Sequence, residues 1–192
     1  SLEKPDAVFS WPASRADVDV DGLLSAMRVP RDGRLSEVQR ALWAGAGTDV
    51  VGLYKEEAAA GTLRTRLYVM AAGLSTMRAL GRPEVGLGSG MLTVRAVKLY
   101  ADGALGSRGA ALLEPYADDP GNRGLLVTPP DGLLEAARFA LAHGFQVGAH
   151  AIGDRANRVV LDAYETAFRE SPAAKDHRFR VEHAQTLDAA DI

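Results

Sequence analysis

The stretch Phe145-Gln-Val-Gly-Ala-His150-Ala-Ile-Gly153-Asp154 decides the fold. A run of strand length ends in a histidine, and a Gly-Asp turn follows. Ala156, Val159, Val160, Ala163, Ala167 and Phe168 then recur at helical spacing. This reads as one strand feeding one helix. The pattern repeats on either side. Val94-Arg-Ala-Val-Lys98-Leu-Tyr lies upstream and Phe179-Arg-Val-Glu-His183 downstream, each a short apolar run carrying a side chain that can serve a metal. Lys98, His150 and His183 are 52 and 33 residues apart, the pitch of successive βα units. In a parallel α/β barrel the strand C-termini converge on the active site. Metal-dependent hydrolysis is therefore the leading chemistry.

Composition narrows the alternatives. A chain of 192 residues supports one domain with a substantial core, yet a full eight-stranded barrel uses roughly 250. The net charge of −3 gives no basic footprint for nucleic acid. No apolar run approaches the roughly 18 residues of a membrane span. Zero cysteines exclude disulfides and thiolate ligands, leaving imidazole and oxygen donors. The expected address is cytoplasmic, and a homo-oligomer is an open expectation.

Residues 1–35 are expected to be an irregular connecting or inserted segment, broken by Pro12, Pro30 and Gly33. Asp17, Asp19 and Asp21 alternate with valine, but the glycine and terminal glutamate of a calcium loop are misplaced or missing. From Ser36, a helix cap, the spacing predicts a domain of alternating strands and helices over 36–192. Helices are expected at about 36–43, 49–60 and 75–80, with Arg66–Ala71 as a strand and 86–90 as glycine-rich turns. Ala101 to Pro130 is a long aperiodic stretch, the kind that serves as a lid or binding loop. Asp131 is expected to cap the next helix and Gly144 to stop it. The class is α/β with a parallel sheet.

Each candidate residue has a plainer reading. A lysine near a strand end is commonly a solvated charge. To bind metal, Lys98 must be neutral or carboxylated by CO2. A single histidine is as readily a buried, hydrogen-bonded side chain, but two at equivalent strand ends are less easily dismissed. His143, at a helix C-terminus, and His177, in a polar run, read as structural. Strand alternation puts Gln146, Gly148 and His150 on one face and Val147 and Ala149 on the other. Applied to the last strand, it puts Val181 with His183 and turns Glu182 away. Asp154 reads as a helix cap with a possible second role beside His150 or a substrate. Asp102 and Arg108 could face a substrate, or Asp102-Gly103 could simply turn the chain. A Schiff-base lysine enzyme is a weaker alternative.

Four runs together resemble the YtcJ-like branch of the amidohydrolase superfamily. They are Val97-Lys98-Leu-Tyr-Ala-Asp102-Gly103-Ala-Leu-Gly106-Ser107-Arg108, Glu114-Pro-Tyr-Ala-Asp-Asp-Pro-Gly-Asn-Arg-Gly124, His150-Ala-Ile-Gly153-Asp154-Arg-Ala and Arg180-Val-Glu182-His183-Ala-Gln. The resemblance implies an incomplete (β/α)8 TIM barrel, roughly strands 2 to 6 with their helices. It implies hydrolysis of amide or cyclic-amide C–N bonds by a metal-activated hydroxide, on a small-molecule substrate. It further implies a carboxylated Lys98, with His150 and His183, as ligands to one or two divalent ions, zinc first among them. Asp102, Arg108 and Asp154 are the expected substrate contacts. The family's first-strand His-x-His pair and last-strand aspartate have no counterpart here. The expectation is a central fragment of a longer chain, or else an incomplete barrel acting as a binding or assembly module.

Overall fold

Four parallel strands set the frame. β3 (Leu92–Tyr100) pairs with β4 (Gln146–Ala151), which pairs with β5 (Arg180–His183); on its other side β3 pairs with β1 (Leu67–Ala72). The computed structural model describes residues 45–192. The expected segment at 1–35, its Asp-Val alternation and the Ser36 helix lie outside them. At the far edge, Ala46 bridges in parallel to Ala71, a single-residue contact beside β1. β2 (Glu84–Gly86) touches β3 antiparallel at Val94, below the point where β4 takes up pairing at Ala96. The sequence reading did not include β2. The sheet is open, and no strand among the described residues closes it.

Helices connect the parallel strands. α1 (Thr48–Ala60) precedes β1, and α2 (Gly73–Leu80) follows it. α3 (Leu87–Gly90) is a single turn, left-handed at Gly88 and Ser89, where turns were expected. α4 (Pro130–His143) leads to β4, and α5 (Asp154–Glu170) joins β4 to β5. Gly61 and Gly144 end α1 and α4 in the left-handed conformation, at φ 70° and 78°, which costs a glycine little. Two cap expectations shift by a residue or more. Pro129 holds the cap position of α4 and Gly153 that of α5, so Asp131 and Asp154 sit in the first turns. A carboxylate there still meets the positive end of the helix dipole.

The main core lies between the helices and one face of the sheet. Val97 and Leu99 of β3 and Val147, Ala149 and Ala151 of β4 pack with Ala136, Ala137 and Ala140 of α4 and Ala156, Val160, Ala163 and Ala167 of α5. The alanines keep both helices close to the strands. A second cluster gathers Val51, Tyr54 and Ala58 of α1 with Val69, Leu92 and Val94. Burying this face fixes the register, because a one-residue slip would turn every side chain over. It therefore also fixes which residues appear on the opposite face.

Candidate metal centre

Lys98, His150 and His183 come together at the C-terminal ends of β3, β4 and β5. The His150 and His183 rings meet edge to face with centroids 4.7 Å apart. Tyr100, in register with His150, lies 5.5 Å from it and 4.7 Å from Lys98 Nζ. Alternation delivers two of the three. Val97, Leu99, Val147 and Ala149 face the helices, so Lys98 and His150 face the other way.

His183 arrives differently. Val181 packs into the helix-side core, while Arg180 and Glu182 turn to the inner face. A Cβ built on Gly148 would meet Glu182 Oε1 at 3.0 Å and Arg180 Nη2 at 3.4 Å. The expectation that Val181 points inward and Glu182 away is therefore reversed. Simple alternation would send His183 outward with its partner Ala151, which is fully buried in the core. Instead the backbone takes φ +79° at His183 and +45° at Ala184, and the ring swings back beside His150. Positive φ in a non-glycine residue is uncommon and concentrates at functional sites.

His150 is held by the loop that follows β3. Its Nε2 lies 3.3 Å from the Gly103 carbonyl oxygen and 3.4 Å from Asp102 Oδ1. Both are acceptors, so the proton sits on Nε2 and the free lone pair is on Nδ1. Burial pushes the His150 pKa below the ordinary histidine range. The Gly103 bond and Asp102 oppose that shift, while His183 and Lys98 add to it. Lys98 is also pushed down from the usual lysine value by burial, against Glu182 and with Arg180.

Asp102 is a brace. Its side chain is hidden from water and accepts from Ala111 N (2.9 Å), Ile152 N (2.9 Å) and Gly153 N (2.8 Å). A substrate contact was expected here. The structure instead shows a carboxylate that ties β3, the loop and the turn after His150 into one unit. Asp154 Oδ1 accepts from Leu113 N and Arg155 N, both at 2.8 Å, fastening the same loop to the start of α5. Arg108 lies at the loop's exposed edge, with Nη2 2.7 Å from Asp118 Oδ2. His143 stacks on Phe139 and His177 on Phe168, away from this cluster.

Two imidazoles from adjacent strand ends suit a divalent metal, and Lys98 can join them only as a neutral amine or a carbamate, since an ammonium has no lone pair. Among the described residues, no group of three or more His, Asp or Glu side chains forms a metal cage. The donors present thus fit part of a metal centre. The sequence profile of the amidohydrolase family matches residues 31–192.

The chain belongs to the amidohydrolase family.

Two curated proteins are similar to it. Protein LONG AFTER FAR-RED 3 of Arabidopsis thaliana is 38% identical over 137 residues, covering 71% of this chain and 23% of that protein. YtcJ of Bacillus subtilis (strain 168), an amidohydrolase by name, is 44% identical over 93 residues, covering 48% of this chain and 17% of its own length. Two solved structures of uncharacterized metal-dependent hydrolases share the fold. The one from Pyrococcus furiosus has a TM-score of 0.64 at 32% identity, covering 75% of this chain and 29% of that one. The other, from Pyrococcus horikoshii OT3, has a TM-score of 0.64 at 28% identity, covering 79% and 32%. This chain spans under a quarter of the two curated relatives and about a third of the solved chains. The family assignment and the parallel α/β architecture of an incomplete barrel stand as expected.

Proposed function

We propose that this chain carries part of the active site of a metal-dependent hydrolase acting on C–N bonds other than peptide bonds, in amides or cyclic amides. The carrying observation is the meeting of Lys98, His150 and His183 at three neighbouring strand ends, in a chain of the amidohydrolase family. In this reading Lys98, carboxylated by CO2, His150 through Nδ1, and His183 hold one or two divalent ions, zinc first among them. The remaining ligands come from outside residues 45–192. When bound, such a metal polarises a carbonyl and acidifies a water.

This chain's residues do the rest. The Gly103 carbonyl fixes the His150 tautomer, and the loop braced by Asp102 and Asp154 walls one side of the site. Arg108 at the loop edge offers a guanidinium to a polar group of a small-molecule substrate. Asp102 and Asp154 support substrate binding by shaping that wall. No helix among the described residues is long and apolar enough to cross a membrane. The acidic balance supports a small-molecule enzyme rather than a nucleic-acid protein. A cytoplasmic address and a homo-oligomer belong to the same proposal.

The test is turnover of an amide and lactam panel by the native-length protein with zinc or manganese supplied. The expected result is hydrolysis that is lost in His150→Gln and His183→Gln. No turnover across the whole panel with metal present would contradict the reading.

A further inference from the structure

The inner face of the sheet carries a second polar cluster beside the histidines, built around a missing side chain. Gly148 is in register with Lys98 on β3 and with Arg180 on β5. A Cβ there would crowd Glu182 Oε1 and Met70 Sδ at 3.0 Å each and Arg180 Nη2 at 3.4 Å. The gap therefore lets a guanidinium and a carboxylate converge next to Lys98. They hold each other, with Arg180 Nε donating to Glu182 Oε1 at 3.0 Å. The guanidinium also lies over the Tyr68 ring, 5.9 Å from its centroid, and the Tyr68 hydroxyl bonds to Gln146. Barrel interiors are ordinarily filled by layers of bulky apolar side chains. In this open sheet the pair keeps 41% and 34% of its side-chain surface exposed, so it bears little desolvation cost.

What the pair does follows from the charge at Lys98. If the amine takes up CO2, its nitrogen lone pair attacks the carbon and an N–C bond forms. One C=O electron pair moves to oxygen, and the nitrogen proton leaves to water. The product is an anion. An unpartnered Glu182 would repel that anion and would hold the unmodified lysine as an ion pair. Arg180 acts oppositely on both forms.

We propose that Arg180 and Glu182 are positioning residues for Lys98: Arg180 holds Glu182 off the lysine and faces the carboxylate that CO2 adds there. The inference rests on the reading of Lys98 as a carboxylated lysine. Burial of Lys98, with Glu182 and Arg180 pulling its charge in opposite directions, supports the placement. The alternation that hid Glu182 in the sequence also hid this pair.

The test is native mass spectrometry of the metal-loaded, native-length protein equilibrated with bicarbonate, reading occupancy of the one-CO2 adduct. A 13C-bicarbonate NMR signal serves as a second readout. Arg180→Met leaves Glu182 facing the lysine and should cut occupancy at least about tenfold. Glu182→Gln should keep it at or above the wild-type level, and the double variant should recover most of what Arg180→Met loses. Arg180→Lys, which keeps the charge, should retain the adduct. A pair that served only the fold would lower occupancy in both single variants and most in the double. That pattern, or wild-type occupancy in Arg180→Met, overturns the proposal. Should Arg180→Met fail to fold, loss of the adduct in Glu182→Gln overturns it independently. A wild-type protein without the adduct removes the carboxylated-lysine reading and this inference with it, which separates the two failures.

Discussion

Asp102 accepts three backbone N–H groups while shielded from water. Removing the acceptor strands those donors, and each unpaired buried group costs about 1–3 kcal/mol. Asp102→Ala should therefore lower the unfolding free energy by about 3–5 kcal/mol in urea titration, with Asp102→Asn costing less. His150 makes a pH-dependent prediction. Its folded pKa lies below the unfolded value near 6.5, so the unfolded chain binds the extra proton first as pH falls. The contribution is complete above pH 6.5 and is lost as pH drops through the folded pKa. The urea midpoint should fall more between pH 7 and pH 5 in the wild type than in His150→Gln; equal falls would contradict the burial argument. At this scale the sequence was legible where alternation holds. Lys98 and His150 could be placed on one face from the pattern alone. His183 and Glu182 could not, because a positive φ at His183 breaks the period of two and nothing in Arg-Val-Glu-His announces it.

The loop between β3 and α4 depends on close backbone approaches that only glycine permits. A Cβ on Gly153 would fall 2.0 Å from the Ala111 carbonyl oxygen, whereas one on Gly121 would meet nothing within 4 Å. Gly153→Ala should therefore push the loop off the turn after β4 and speed tryptic cleavage at Arg108 and Arg123 several-fold. Gly121→Ala should leave the cleavage rate unchanged. α5 is tied to β5 by the Tyr164 hydroxyl, which donates to the Arg180 carbonyl at 3.0 Å. Tyr164→Phe should cost about 1 kcal/mol in thermal or urea unfolding, a typical net value for such a bond. Elements were the most legible level. The helices at 48–60, 73–80, 130–143 and 154–170 carry apolar periodicity or glycine stops, and the sequence placed each within a few residues. β2 was not legible. Glu84-Val-Gly is too short to show a period, and it pairs at one position only.

At the scale of the molecule, among the described residues the sheet is open along β5 and bears a single bridge beyond β1, so both edges of that part offer unpaired backbone groups. Open edges promote association. The 192-residue chain on its own should elute from size exclusion above the volume-equivalent of 20.3 kDa, with the excess growing with concentration. The fold class was readable because strand and helix alternate, and the family because four motifs stand in order. The full ligand set was not, because two imidazoles and a lysine are the donors that residues 45–192 bring together. In the proposed site these three side chains hold metal. The most direct measurement is the metal content of the native-length protein by elemental mass spectrometry, wild type against His183→Ala and Lys98→Ala, with folding checked by circular dichroism. The account predicts at least one divalent ion per wild-type chain and a loss in both folded variants. A metal-free wild type, or full metal retention in both variants, would contradict it.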